Sequence, residues 1–268
     1  MWPIFTKTLY DSRKLIFWLF IGYALYGLLI GGMYPNMVKA AEGYNDLVEN
    51  MPEMMAFVGV DPETFDMGNL GTFIQLEMMT WLLIVAGPIA IHMAFNAFTN
   101  AERNHSIDML LSLPLSRREN LIGQFAVTVL TLFMALLGAY LGLIVMTPLW
   151  KDVEFSVVKI AVGIFAAMLP LLIITALSYF LTATIPSSKR FAGAIAYVFW
   201  IGSYLVFGLT MAVKALNDFQ PFFVYYYYNA GDLINEGINL GHWILLLAVT
   251  AMLMGVAWWK VEDKELGI

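Results

Sequence analysis

Residues 99–124 read TNAERNHSIDMLLSLPLSRRENLIGQ, the longest polar interruption between two apolar segments on the Lys- and Arg-richer side of the chain. Two S/T-x-x-E patterns occur in it, Thr99 with Glu102 and Ser116 with Glu119. Such pairs are typical of capping boxes, in which a hydroxyl and a carboxylate satisfy free backbone N–H groups where a helix begins. We therefore expect two helix starts in this stretch.

Between the two patterns, apolar residues recur at the spacing of one helical face, at Ile107, Leu110, Leu111 and Pro114. Pro114 disfavours helical geometry at Leu113, so the helix should end there. The sequence predicts a short amphipathic helix from about Glu102 to Leu113, then a break, then a second helix entered through Arg117.

The composition of the whole chain excludes a soluble protein. Its 268 residues are 60% hydrophobic and 13% charged, with a mean hydropathy of +0.75. Soluble domains are about half apolar and a quarter charged, and no soluble core of this size could cover so much apolar surface. The net charge of −6 and the lack of a basic stripe argue against nucleic acid as a partner. The chain has no cysteine, which excludes disulfides, thiolate catalysis and cysteine metal sites.

Six segments are long and apolar enough to cross a bilayer as helices, which needs about 20 residues. The first follows Lys7, Arg13 and Lys14 and is too long for a cleaved signal, so we expect it to stay in the protein. The predicted class is an all-α integral membrane protein with a single transmembrane domain, residues 1–268. Its predicted spans are Leu15–Tyr34, Phe73–Ala97, Phe125–Leu149, Val157–Thr182, Phe191–Val213 and Gly241–Trp259.

The distribution of basic residues predicts the orientation, because cytoplasmic loops are enriched in Lys and Arg. With six spans the two termini share a side, and ten of the 14 basic residues fall on it. The other side has Lys39, Lys151, Lys159 and Lys214. We expect a multi-pass protein of the cell membrane with both termini, and residues 99–124, in the cytoplasm.

Three regions outside the spans have distinct compositions. Residues 1–14 combine apolar and cationic side chains, which suits a helix lying in the headgroup layer; the alternative is simply the start of the first span. The outer loop 35–72 is acidic, and we favour a solvated cap over a metal-collecting loop because its acids lack regular ligand spacing. The outer loop 214–240 has six aromatic residues directly around Val224, typical of an interfacial belt.

The residues offer little chemistry. No Gly-Lys-Ser/Thr of a P-loop and no G-x-S-x-G nucleophile motif occurs, and the three histidines are not spaced as metal ligands. We expect the chain not to be an enzyme and to bind no cofactor or metal.

Polar groups inside spans are the remaining candidates, because buried charge in a membrane is costly and therefore often functional. Glu77 and Gln75 in the second span are candidate substrate-path residues, with a place in the headgroups as the alternative for Glu77. Ser203 and Tyr204 in the fifth span are further candidates, with helix packing as the alternative. Glycines offer close-packing faces that could serve a dimer, at Gly22, Gly27, Gly31 and Gly32 and in the G-x-x-x-G pair Gly138 and Gly142.

The run from Ala101 to Arg117, AERNHSIDMLLSLPLSR, resembles the cytoplasmic signature of the type 2 permeases of ATP-binding-cassette transporters. In that family a Glu is followed by polar residues, a Leu-Leu, a small residue, a Leu-Pro and a Ser-Arg. The six spans, the amphipathic N-terminal segment, the large first outer loop and the Pro-Phe-aromatic segment before the last span are similar too. One departure is Asn104-His105-Ser106, where the family often has a Gly.

The resemblance implies the permease subunit of an ATP-driven exporter of a hydrophobic or amphipathic substrate. Two permease subunits, identical or related, would pair with two separate ABC ATPase subunits, with lipid around them. The resemblance places the ATPase-coupling element at Glu102, Arg103, Ile107, Leu110, Leu111, Leu113, Pro114 and Arg117. The alternatives are a non-transporting membrane protein, such as an immunity, sensor or assembly factor that binds a cytoplasmic partner, and, ranked last, a secondary transporter.

Overall fold

The computed structural model describes residues 2–51, 65–103, 116–151, 153–185 and 189–262. Within these residues the chain forms α-helices, one π-helical segment and short 3₁₀ helices, and no strand. The α-helices are α1 (Trp2–Asn50), α2 (Leu70–Phe73), α3 (Thr80–Arg103), α4 (Arg117–Val145), α5 (Val157–Phe165), α6 (Met168–Thr184), α7 (Lys189–Ala212), α8 (Ala230–Asn235) and α9 (Leu240–Lys260). The π-helical segment Ile74–Met79 joins α2 to α3, and the 3₁₀ helices are Thr147–Leu149, Lys214–Phe222 and Val224–Tyr227.

The all-α class and the six spans are confirmed. Six helical stretches of the described residues are long and apolar enough to cross a membrane, and each coincides with a predicted span. They are α1, α2 with α3, α4, α5 with α6, α7 and α9. The fourth span is interrupted between α5 and α6 by a turn at Ala166 and Ala167.

The first helix is longer than the sequence predicted. The 49 residues of α1 run unbroken through the predicted interfacial segment 1–14, the first span and the start of the predicted outer loop 35–72, with Pro35 inside the helix. At 1.5 Å per residue this is about 73 Å, more than twice the hydrocarbon thickness of a bilayer. Residues 2–14 are therefore helical but not a separate element. Beyond residue 34 the acidic residues interrupt the apolar pattern, so the sequence predicts a loop where the structure has helix.

One of the two predicted helix starts is wrong. Thr99 lies inside α3, which continues to Arg103, and an N-cap residue needs a non-helical backbone. The pattern formed by Thr99 and Glu102 therefore lies within a helix that begins at Thr80. The rest of the predicted coupling helix, residues 104–113, lies outside the described residues.

Glycines bring α1 and α4 into close parallel contact. Ile4 lies beside Gly123, and Phe20 and Ala24 lie beside Gly138 and Gly142, so both helices rise in the same direction. A Cβ atom added at Gly142 would collide with the Ala24 carbonyl oxygen. Small residues allow such backbone approach in membranes.

The same contact is reciprocal, because a Cβ atom added at Gly27 would collide with the Ala139 carbonyl oxygen. The Gly138 and Gly142 face is thus filled within the chain, which contradicts its prediction as a dimer contact. Gly22, by contrast, has no atom within 4 Å of such a Cβ position.

Helix α6 forms the centre of the bundle and packs against α3, α4, α7 and α9. Two of its hydroxyl residues are fully buried and bond back to their own helix: Thr175 donates to the Leu171 carbonyl at 2.6 Å and Ser178 to the Ile174 carbonyl at 2.7 Å. These hydroxyls therefore carry no free polar function, in line with the packing role that was the alternative for such residues.

Replacing Gly27 by Ala should destabilise the protein by about 1–3 kcal/mol, the usual cost of forcing extra atoms into a packed contact. The matched control is Gly22→Ala, five residues away on the same helix, which meets open space and removes a residue of poor helix propensity. We expect a lower apparent melting temperature for the first variant only, measured by intrinsic tryptophan fluorescence in detergent. Equal melting of the two variants would contradict the packing described here.

Candidate functional site

The end of the bundle at which the described chain begins and ends is built around the start of α4. Ser116 Oγ accepts the Glu119 backbone N–H at 3.2 Å, and Glu119 Oε2 accepts the Ser116 backbone N–H at 3.2 Å. This confirms the second predicted capping box. It defines the residue at which the chain re-enters the bundle after the segment 104–115.

Helices α3 and α4 are joined where that segment leaves and returns. Gln124 Nε2 donates to the Ala97 carbonyl at 3.0 Å. Behind this bond lies a buried cluster contributed by α3, α4, α6 and the end of α9, formed by Ala94, Ala97, Leu121, Tyr179, Ala183, Ala257 and Val261. The end of α3 and the start of α4, which flank the predicted coupling segment, therefore share a common packed base.

Two arginines attach the carboxyl end of the last span to the same place. Arg118 Nη2 lies 2.9 Å from Glu262 Oε2, and the Arg118 guanidinium stacks 3.9 Å above the Trp258 ring. Arg117 Nη1 donates to the Glu262 carbonyl at 3.3 Å. Arg117, predicted to contact an ATPase, thus contacts the end of the last span, at the same end of the bundle as residues 99–103 and 116–124.

The other predicted coupling residues are not placed by the structure. Glu102 and Arg103 are the last two residues of α3, and their side chains are outside the described part of the chain. Ile107, Leu110, Leu111, Leu113 and Pro114 lie outside the described residues. Their role stays a prediction.

The amino-terminal end of the second span is bonded to α8. Gln75, in the π-helical segment, accepts the Ala230 backbone N–H at its Oε1 atom, at 2.7 Å. Asn69 caps α2, and its Oδ1 atom also accepts from Asn235 Nδ2 at 3.1 Å. These bonds join residues more than 150 positions apart, and Gln75 serves to hold α8 in place.

Glu77 is in a different environment from Gln75. Its backbone carbonyl accepts the Tyr26 hydroxyl of α1 at 2.5 Å, and the residue is half-buried. Among the described residues no Lys or Arg lies within ion-pair distance of the carboxylate. Glu77 therefore has no ion-pair partner in the described part of the chain.

Ser203 and Tyr204 do not join Gln75 and Glu77. The Ser203 hydroxyl is buried and donates to the Phe199 carbonyl of its own helix at 2.6 Å. The Tyr204 ring packs 5.5 Å from the Tyr225 ring. Within the described part of the chain, no hydrogen bond or ring contact links the four candidate residues to one another, so they do not form one site.

The aromatic loop is only partly an interfacial belt. Phe222 is 75% exposed, whereas Tyr225 and Tyr228 are buried. The Tyr228 hydroxyl donates to the Gly163 carbonyl of α5 at 2.9 Å. Burial raises the pKa of Tyr225 and of Tyr228 well above the ordinary value, so both hydroxyls stay neutral. The Tyr225 hydroxyl is buried without a hydrogen-bond partner among the described residues.

Sequence reasoning missed the residues that hold the outer end together. Asn229 caps α8 by accepting from the Gly231 and Asp232 backbone N–H groups, and an Asn followed by a short polar helix was a usable signal for it. Trp200 is fully buried against Gly87 of α3, a contact that no local pattern indicates.

Comparison with known proteins agrees with this architecture. Residues 9–261 match the family model described as the C-terminal domain of the multidrug efflux system permease Rv1217c. A search of curated proteins finds no match. Because the match covers nearly the whole chain and its six membrane-spanning helices, the chain belongs to this family of efflux permease domains.

Proposed function

We propose that the chain is the membrane-spanning subunit of an ATP-driven exporter of the type 2 ATP-binding-cassette class, served by a separate ATPase subunit. Membership of an efflux permease family supports a transport role. The resemblance of the run from Ala101 to Arg117 to the type 2 permease signature supports the ATP-driven class. Export of a hydrophobic or amphipathic substrate follows from the same two sources.

The observation that carries the proposal is the packed base beneath the segment 104–115. The Gln124–Ala97 hydrogen bond and the cluster around Tyr179 connect both ends of the segment to four spans. A partner that pushed on the segment would therefore move α3 and α4 together. A loop that transmits force needs such a rigid attachment, because a flexible attachment would deform locally and the spans would not move.

Helix α3 offers a continuous route from the inner to the outer end. It runs from Arg103 to Thr80 and continues as the π-helical segment, whose Gln75 holds α8. We propose that displacement at the inner end reaches the outer loops along this route and shifts the balance between inward-open and outward-open states. The two states differ in this proposal by how α3 and α8 sit against α1 and α5.

The segment itself has the composition of a docking helix. Ile107, Leu110 and Leu111 would be buried in a groove of the ATPase, and Glu102 and Arg103 would set the register at its rim. A second permease subunit would complete the transporter, with both termini in the cytoplasm. Lipid would cover the remaining apolar faces.

Replacing Leu110 and Leu111 together by Asp should abolish stable binding of the ATPase encoded by a neighbouring reading frame. Loss of two buried leucines at the centre of an interface costs about 2 kcal/mol or more, and the new charges add a desolvation penalty. The measurement is co-purification of the ATPase with the permease, together with the ATPase rate of the complex.

The matched control is Ile238→Asp, a change of the same kind at a residue 46% exposed in the last outer loop, which should bind the ATPase normally. If the double variant binds and stimulates the ATPase like the wild type, the docking assignment is wrong. If the wild-type chain binds no ATPase at all, a non-transporting membrane protein becomes the better account.

The orientation is testable because the natural chain has no cysteine. We expect Asp46→Cys, on the outer extension of α1, to react with a membrane-impermeant maleimide in intact cells. Ser187→Cys, between the fourth and fifth spans, should react only after the membrane is broken. The reverse pattern of labelling would place both termini outside the cell.

A further inference from the structure

A groove of about 490 Å³ lies between α1 and α3 and opens to the membrane side of the chain. Its walls are mostly apolar and aromatic. Trp18 is 68% exposed there and Trp81 55%. Gly22 leaves the floor open, since no atom lies within 4 Å of the position a Cβ would take.

One face of α1 and one face of the second span form opposite walls of the groove. On α1, Trp18, Gly22 and Tyr26 follow one another at intervals of four residues, which places them on one helical face. On the second span, Trp81 and Val85 line the groove with the same interval. Glu77 is not a lining residue and belongs to the π-helical segment that precedes Trp81. Its backbone carbonyl accepts the hydroxyl of Tyr26, which does line the groove, so Glu77 lies at the end of the groove.

Glu77 lies close to the loop that follows α4. Trp150, in that loop, donates its indole N–H to the Gly31 carbonyl of α1 at 2.8 Å. Tyr26, which bonds to the Glu77 carbonyl, is five residues before Gly31, a distance of about 7 Å along the helix. A carboxylate in or beside an apolar layer is costly unless something compensates its charge. No Lys or Arg among the described residues does so.

We propose that this groove binds a lipophilic organic cation, with its apolar groups between the tryptophans and its charge next to Glu77. Aromatic faces attract cations, and a carboxylate in a poorly hydrated site discriminates strongly by charge. An anion of the same shape would be repelled, and a lipid acyl chain would leave the carboxylate unpaired. As a substrate site the groove rests on the proposed transport function; as a binding site it does not.

The probes are tetraphenylphosphonium and tetraphenylborate, which have nearly the same shape and opposite charge. Binding to the full chain in nanodiscs of zwitterionic lipid is measured with radiolabelled ions, after subtracting uptake by empty nanodiscs. We expect saturable binding of the cation and none of the anion. Glu77→Gln should weaken cation binding about tenfold, and Trp81→Leu should weaken it as well.

Two control variants carry the same changes elsewhere. Glu154→Gln removes an exposed carboxylate of an outer loop, and Trp259→Leu removes a tryptophan that is 60% exposed at the other end of the bundle. Both should bind the cation like the wild type. All variants are first checked for a single symmetric peak in size-exclusion chromatography, and the comparison of the two ions on the wild type needs no variant at all.

Equal binding of the two ions, or unchanged cation binding by Glu77→Gln, would overturn the proposal and leave the groove as a surface covered by lipid. This assay uses no ATPase, so a negative result would leave the ATP-driven function standing. Conversely, failure to recover an ATPase partner would leave the cation site standing.

Discussion

The close contact between α1 and α4 is the interaction on which the arrangement of the other helices depends. A bilayer supplies no hydrophobic drive that would bring two helices together, so their association relies on van der Waals packing and short-range polar contacts. Gly27 and Gly142 let the two backbones touch over several turns. Helix α1 is only sparsely buried and joins the bundle mainly through α4, which in turn packs on the central α6. Without the glycine contact, α1 would lose most of its packing against the rest of the bundle.

A second constraint is that every backbone polar group within lipid needs a partner. The second span breaks regular α-helical bonding twice, at Pro88, which has no N–H, and in the segment Ile74–Met79, which is π-helical. Side chains compensate the π-helical segment: Thr80 Oγ1 donates to the Gln75 carbonyl at 2.9 Å, and Tyr26 donates to the Glu77 carbonyl. π-helical turns are frequent at functional sites. This one lies between the groove of α1 and α3 and the contact with α8.

The six spans were predictable because each is a local run of apolar residues, and the Ser116 cap because its two partners are three positions apart. The extension of α1 beyond residue 34 was not predictable, because acidic residues such as Asp46 suggest a loop although they lie on the exposed side of a helix. The Thr99 pattern failed since a capping signature is only meaningful where a helix begins. Contacts such as Gln75 with Ala230 depend on the meeting of distant segments, which no local pattern encodes. The sequence therefore singles out candidate polar residues one by one, but no local pattern shows that they lie in separate environments.

The pairing of α1 with α4 also affects how the protein is made. Ala24 and its contact Gly142 are separated by 118 positions of sequence. At 5–20 residues per second, the ribosome needs about 6–24 s to synthesise that stretch. During this time the glycine-lined face of α1 has no partner from its own chain and meets only lipid or the insertion machinery. Helix α3, although synthesised earlier, adds few contacts to α1. The biogenesis of this protein therefore includes an interval in which α1 has been synthesised but α4, its main packing partner, has not.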